Sequence, residues 1–248
     1  MTYCVGLRLT KGLVMMSDTR TNAGVDNIST FRKMHSWTIP GERAIMIMSA
    51  GNLATTQAVI SLLDERTKGP EDRQPSILRE PSMFRVASLV GETLRKVIAG
   101  HSVAGQQADS SFHATLIVAG QISPGEPTMF MIYPEGNFIE ASQDTPFFQI
   151  GETKYGRPIL VRAYDPEMSF EDAMKLLLLS FDSTIKANLS VDLPLDYCIY
   201  SSDSYSLETG GRIAADDPYY REISEGWGDA LRQAFHGLPP YMFPEEFD

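Results

Sequence analysis

Met1-Thr2-Tyr3-Cys4-Val5-Gly6-Leu7-Arg8-Leu9-Thr10-Lys11-Gly12-Leu13-Val14-Met15-Met16-Ser17-Asp18 opens the chain. Two apolar runs without a helical period, Tyr3 to Arg8 and Leu13 to Ser17, flank Thr10-Lys11-Gly12, and the stretch reads as a β-hairpin. Thr2 directly follows the initiator methionine. Removal of Met1 would leave Thr2 with a hydroxyl and a free α-amino group, a nucleophile and its own base on one residue. The hairpin carries Asp18 back toward Thr2, and the next strand supplies Lys33. A turn centred on Lys11 sets Asp18 opposite Cys4, on the face of Thr2. A two-residue turn at Lys11-Gly12 sets it opposite Val5, on the other face, because a one-residue slip inverts a strand. The catalytic reading requires the first register or a bulge that restores it.

Working outward, Thr19 to Asn27 reads as a polar loop and Lys33 to Ile39 as an alternating strand. Ala44 to Met48 is a buried strand, broken at Ser49-Ala50-Gly51-Asn52, where a helix opens and runs to about Glu65. Its expected buried face is Leu53, Val59, Ile60, Leu62 and Leu63. After a charged, proline-bearing loop from Lys68 to Pro81, Met83 to Ile98 is a second helix. Ser102 to Ser110 is a polar loop. Phe112 to Ile122, Thr128 to Tyr133, Phe138 to Ala141 and Phe147 to Ile150 form a meander. Gly151 to Leu160 is helical in part. Ser169 to Leu189 is a helix, with Asp172 three residues after Ser169 in a near capping box. Strands at Asp196 to Ser202 and Ile213 precede a last helix, about Asp217 to Phe235. Strand groups thus alternate with helix groups, and the natural packing is two antiparallel sheets face to face with helices on both outer faces, an α+β, four-layer αββα sandwich. All 248 residues read as one domain, with 236–248 an acidic, proline-rich and aromatic tail that either docks a neighbouring subunit or partner, or packs on its own domain or frays.

The formal charge of −11 argues against nucleic acid and anionic membrane as partners. No basic segment precedes an apolar one at the start, as a signal peptide requires, and the longest aliphatic run, Leu176 to Leu179, cannot span a bilayer. A cytoplasmic location is expected, with Cys4 and Cys198 as reduced, buried thiols. His35, His101, His113 and His236 are scattered, so no metal is expected, nor any other cofactor.

An α-amino group titrates at roughly 7.7–8.0 and can act as a general base at neutral pH. A Lys33 ammonium beside Thr2 lowers the pKa of its amine and hydroxyl, and Asp18 keeps that ammonium charged and oriented. The backbone N–H of Gly51, where strand gives way to helix, is placed as an oxyanion donor.

Thr2-Tyr3-Cys4-Val5-Gly6-Leu7, Met16-Ser17-Asp18-Thr19-Arg20, Phe31-Arg32-Lys33 and Ser49-Ala50-Gly51-Asn52 together resemble the proteasome β-subunit superfamily, and within it the bacterial Anbu family, which lies near HslV. The likeness extends through Ser180-Phe181-Asp182-Ser183-Thr184 and Leu195-Asp196-Tyr197-Cys198-Ile199-Tyr200. It implies the αββα fold of N-terminal nucleophile hydrolases and a self-associating subunit with active sites facing an enclosed space or the inner side of an open ring. It also implies Thr2 as nucleophile, Asp18 and Lys33 as the supporting pair, Gly51 as oxyanion donor and Ser49 as a wall of the substrate pocket. Two departures stand out. Where the family commonly has Gly-Ser, this chain has Gly151-Glu152, and the Glu152 charge tends to raise the amine pKa. Where proteasome subunits carry an Asp and a Ser, the nearest candidates are Asn188 and Ser190, which also read as ordinary polar caps at a helix end.

The expected function is a threonine-type hydrolase of peptide or amide bonds, working in a homo-oligomeric, ring-like assembly. Its alternatives are an amidase for a small molecule or an isopeptide bond, and a catalytically idle assembly module. Neither the substrate nor an ATP-dependent partner is identified by the sequence.

Overall fold

A computed structural model describes residues 2–22, 28–68, 75–101, 110–207 and 209–243. Met1, residues 23–27, 69–74 and 102–109 of the expected loops, Glu208 and residues 244–248 of the tail lie outside them. In chain order come β1 (Tyr3–Leu9), β2 (Gly12–Asp18), β3 (Arg20–Asn22), β4 (Ile28–Thr30), β5 (Met34–Ile39) and β6 (Arg43–Gly51). The helices α1 (Leu53–Lys68) and α2 (Met83–Gly100) follow, then β7 (Ala114–Ile122), β8 (Thr128–Ile132), β9 (Phe138–Glu140) and β10 (Phe147–Gly151). Next are α3 (Arg157–Ala163), α4 (Phe170–Ala187), β11 (Leu195–Ser201), β12 (Gly210–Ile213) and α5 (Pro218–Gly237).

One sheet has the order β10-β1-β2-β11-β12 and the other β5-β6-β7-β8-β9, both antiparallel throughout. The central strands lack a polar face because both of their faces are covered. On β2, Val14 and Met16 point to α3 and α4, while Leu13 and Met15 point to the second sheet. On β6, Ile45 and Ile47 meet α1 and α2, while Ala44, Met46 and Met48 meet the first sheet. Burying each such large side chain stabilises the fold by roughly 1.5–3 kcal/mol. The layers are therefore helix, sheet, sheet, helix, as expected. Methionines crowd the space between the sheets, where an unbranched thioether fills irregular gaps. Gly6 makes room for two of them: a Cβ there would lie 2.5 Å from the Met129 sulfur and 2.9 Å from that of Met15.

Several local expectations change. β3 and β4 pair across what reads as a polar loop, with Arg20 opposite Thr30. The buried face of α1 is Thr55, Thr56, Val59, Ile60 and Leu63, and Leu62 is exposed. The two threonines tolerate burial because their hydroxyls donate to the carbonyls of Phe112 and Leu53. The Ser169 cap forms as expected, accepting from Asp172 N at 2.9 Å. Leu178 and Asp182 are also buried on α4, because α5 covers its outer side and Tyr220 donates to Asp182. Beyond Tyr220, α5 buries no residue fully, and Phe235, Leu238, Tyr241, Met242 and Phe243 are exposed on it and on the described part of the tail. Among the described residues no helix is long and apolar enough to cross a membrane.

Candidate active site

The opening hairpin adopts neither of the two expected registers. Leu9 pairs with Gly12 and Cys4 with Ser17, so the turn is Thr10-Lys11 and Asp18 falls across from Tyr3. Gly12 decides this, because it belongs to β2 and not to the turn. A Cβ on Gly12 would lie 1.9 Å from the Tyr200 carbonyl of β11, so only glycine lets that strand pack there. No bulge is needed for the carboxylate to reach the start of β1. At the strand end Asp18 Oδ1 accepts from the Tyr3 backbone N–H at 2.9 Å.

The same oxygen accepts from Lys33 Nζ at 2.8 Å, and Lys33 also donates to the Arg20 carbonyl at 2.6 Å. An ammonium has three N–H donors, and these contacts occupy two. Asp18 is fully buried and Lys33 nearly so. Burial pushes the Asp18 carboxyl up to about 6, against the Lys33 charge, the Lys33 hydrogen bond and the Tyr3 N–H, which all pull it down.

Thr2 is held through its backbone. Its carbonyl accepts from Glu152 N at 2.7 Å, and Tyr3 pairs with Gly151. Gly151 has φ +84°, and a Cβ on it would lie 1.9 Å from the Thr2 carbonyl oxygen. Gly151→Ala therefore combines backbone strain with a backbone clash at the residue that carries the hydroxyl. We expect it to cost about 1–3 kcal/mol of stability and to displace Thr2, seen as a lower melting temperature together with loss of hydrolysis. The next residue is anchored from its side chain. The Tyr3 hydroxyl lies 2.7 Å from Ser180 Oγ and accepts from Gln149 Nε2 at 2.6 Å, and burial lifts its pKa to about 12. Sequence reasoning missed this anchor, although a small polar Ser180 among the apolar residues of α4 is its signal.

Glu152 is buried, and its carboxylate accepts from Asn188 Nδ2 at 3.0 Å and from Lys154 N at 3.4 Å. Asn188 caps α4, its N–H donating to the Thr184 carbonyl, and its own side-chain oxygen accepts from Ser190 N at 2.9 Å. Glu152, Asn188 and Ser190 thus form one chain of bonds that ends on the Thr2 carbonyl. Asn188 therefore both caps α4 and bonds to Glu152. Ser190 enters through its backbone.

Gly51 closes β6 with φ +115°, and a Cβ would lie 2.5 Å from the His113 carbonyl. Ser49 N donates to the Lys33 carbonyl at 3.0 Å. Successive amides of a strand point to alternate edges, so Gly51 N–H points the same way as Ser49 N–H, past the last rung of β5. Asn52 N turns to the His113 carbonyl, and the Asn52 side chain then caps α1, accepting from Thr55 N. Thr2, Lys33, Ser49 and Gly51 line one open cavity of about 550 Å³. Arg32 just before β5, His35 on β5, and Leu53 and Ile60 of α1 add walls that sequence reasoning did not assign.

Cys4 and Cys198 are buried free thiols of the core between the sheets, and burial drives both pKa values up, that of Cys198 to about 11.

The proteasome subunit family model matches residues 2–192. A proteasome subunit beta from Haloquadratum walsbyi is 21% identical over 207 residues, 83% of this chain and 76% of its own. Anbu (ancestral beta-subunit) from Yersinia bercovieri is 48% identical with a TM-score of 0.91, covering 98% of this chain and 100% of its own. Anbu from Pseudomonas aeruginosa, solved as a helical assembly, is 43% identical with a TM-score of 0.89, covering 99% of this chain and 100% of its own. The chain belongs to the proteasome subunit family, in its Anbu branch.

Proposed function

We propose that this protein is a cytoplasmic, self-associating threonine-type hydrolase of peptide bonds, with Thr2 as nucleophile once Met1 is removed. The observation that carries the reading is the single cavity shared by Thr2, Lys33, Ser49 and Gly51, with Asp18 bonded to Lys33 behind it. The third Lys33 N–H is the donor left for the Thr2 hydroxyl. The Thr2 amine takes the hydroxyl proton as Oγ adds to the substrate carbonyl carbon, and Gly51 N–H receives the developing oxyanion. Collapse breaks the C–N bond, the amine proton passes to the leaving nitrogen, and an ester to Thr2 remains. Water, deprotonated by the same amine, cleaves that ester and restores the hydroxyl. Gly151 and Glu152 hold the Thr2 backbone, and Asn188 keeps the Glu152 carboxylate engaged.

Self-association is supported by the helical assembly of the Pseudomonas aeruginosa Anbu and by the exposed apolar residues of α5 and the tail, which offer a surface for a second copy. The decisive experiment is intact mass, before and after a peptide epoxyketone, on protein purified from its own cytoplasm. The expected result is a chain lighter by one methionine that gains one inhibitor on Thr2. A chain that keeps Met1 and stays unlabelled overturns the reading.

A further inference from the structure

The charges around the cavity are of one sign. Among the described residues its charged lining is Arg32 and Lys33, with His35 beside them, and no described carboxylate lines it. Lys33 is already neutralised by Asp18. Arg32 is exposed and has neither an ion pair nor a side-chain hydrogen bond to any other described residue. The acids nearest His35 are committed elsewhere. Asp64 pairs with Lys68 and accepts from Trp37 Nε1, and Asp196 is held by Arg212 through two bonds of 2.7 and 3.0 Å. Burial, with the Arg32 charge, pushes the His35 pKa below its usual value, against the Arg32 backbone, Asp64 and Asp196. At neutral pH His35 therefore offers a neutral hydrogen bond, and the uncompensated charge of the cavity is the Arg32 guanidinium. Phe31, Leu53 and Ile60 add apolar wall for a methylene stem.

We propose that this cavity selects peptides with an acidic side chain on the acyl side of the scissile bond, its carboxylate held by Arg32. The proposal rests on the threonine reading above and specifies its substrate class. A glutamate places its carboxylate on the guanidinium and its methylenes on the apolar wall. A lysine meets the uncompensated Arg32 charge and no acceptor carboxylate among the described lining residues, so it is disfavoured by repulsion. Arg32 acts here as a specificity residue and does not take part in bond making.

The test uses the full-length, Met1-processed protein and three fluorogenic peptides that differ only in Glu, Leu or Lys before an aminocoumarin amide. Labelling of Thr2 by the matching peptide epoxyketones is followed in parallel. The expected order of kcat/KM and of labelling is Glu, Leu, Lys, with Glu ahead of Lys by about tenfold or more, the scale of one charge-assisted hydrogen bond. Arg32→Glu is expected to lower the Glu/Leu ratio by about tenfold and to raise the Lys/Leu ratio. These ratios do not depend on how much of the variant folds. Leu cleaved or labelled as fast as Glu, with ratios unmoved by R32E, overturns this proposal and leaves the threonine reading intact. No cleavage and no labelling by any of the three overturns both.

Discussion

Thr2→Ala protein, with its methionine removed, is expected to cleave peptides about 10³-fold more slowly than the wild type or worse, and to take up no epoxyketone. The size of the effect follows from the position of the residue. Its backbone is fixed by Glu152 N on the Thr2 carbonyl, by Gly151 packed against that carbonyl, and by the Tyr3 anchor on Ser180 and Gln149. Thr2→Ala removes the hydroxyl and the γ-methyl and leaves these backbone and Tyr3 contacts in place, so the residue stays positioned while its nucleophile is gone. Thr2→Ser is the companion variant. It keeps hydroxyl and amine on one residue, and its measurable rate separates a missing nucleophile from a disturbed site. Thr2→Ala turning over peptides at the wild-type rate would place the chemistry elsewhere and overturn the threonine reading.

Lys33→Ala should abolish hydrolysis and also cost about 3–5 kcal/mol of stability, because it leaves the Asp18 carboxylate buried beside a single backbone N–H. The pH dependence has a definite sign. Asp18 already titrates at about 6 in the folded protein, above the roughly 3.9 of an unfolded chain. Removing the ammonium raises the folded value further. A carboxyl whose folded pKa is raised disfavours folding above that pKa, and the penalty fades as pH falls toward the unfolded value. The stability gap between Lys33→Ala and wild type is therefore wide at about pH 8 and narrower at about pH 5. Lys33→Ala combined with Asp18→Asn should recover most of the gap without recovering activity. In the wild type, protonation of Asp18 removes the partner that orients Lys33, so the rate falls with acid through about pH 6. Urea unfolding at matched protein concentration, at both pH values, measures the stability gap, and a pH–rate profile measures the fall in acid. Equal losses for the single and double variants at both pH values would mean that the pair is not the buried, coupled unit described.

Much of the site was legible because its parts are marked locally. Thr2 opens a strand, Asp18 ends the next one, Lys33 opens another, and Gly51 sits where a strand run stops and a helix begins. Each mark needs only the neighbouring residues to be read. What escaped is built from residues distant in sequence. The Tyr3 anchor joins residues 177 positions apart, and the Glu152–Asn188 bond spans 36. The cavity wall around Arg32, His35 and Ile60 exists only once β5 and α1 lie against the start of β1.

By itself the sequence determined the order of the main strands and helices, though not the short β3–β4 pair, together with the capped start of α4 and the layered packing, since apolar periodicity and caps act over a few residues. It also determined that a hydroxyl, an ammonium and a carboxylate stand at neighbouring strand ends. The tertiary structure alone decided the hairpin register, because Gly12 is selected by the Tyr200 backbone of β11 and not by the turn it adjoins. It likewise decided that Thr55 and Thr56 of α1 face the core while Leu62 faces water, and that α5 and the tail leave aromatic side chains exposed. Burial depends on which other element arrives on a given face, and that is a property of long-range contacts that no local pattern encodes.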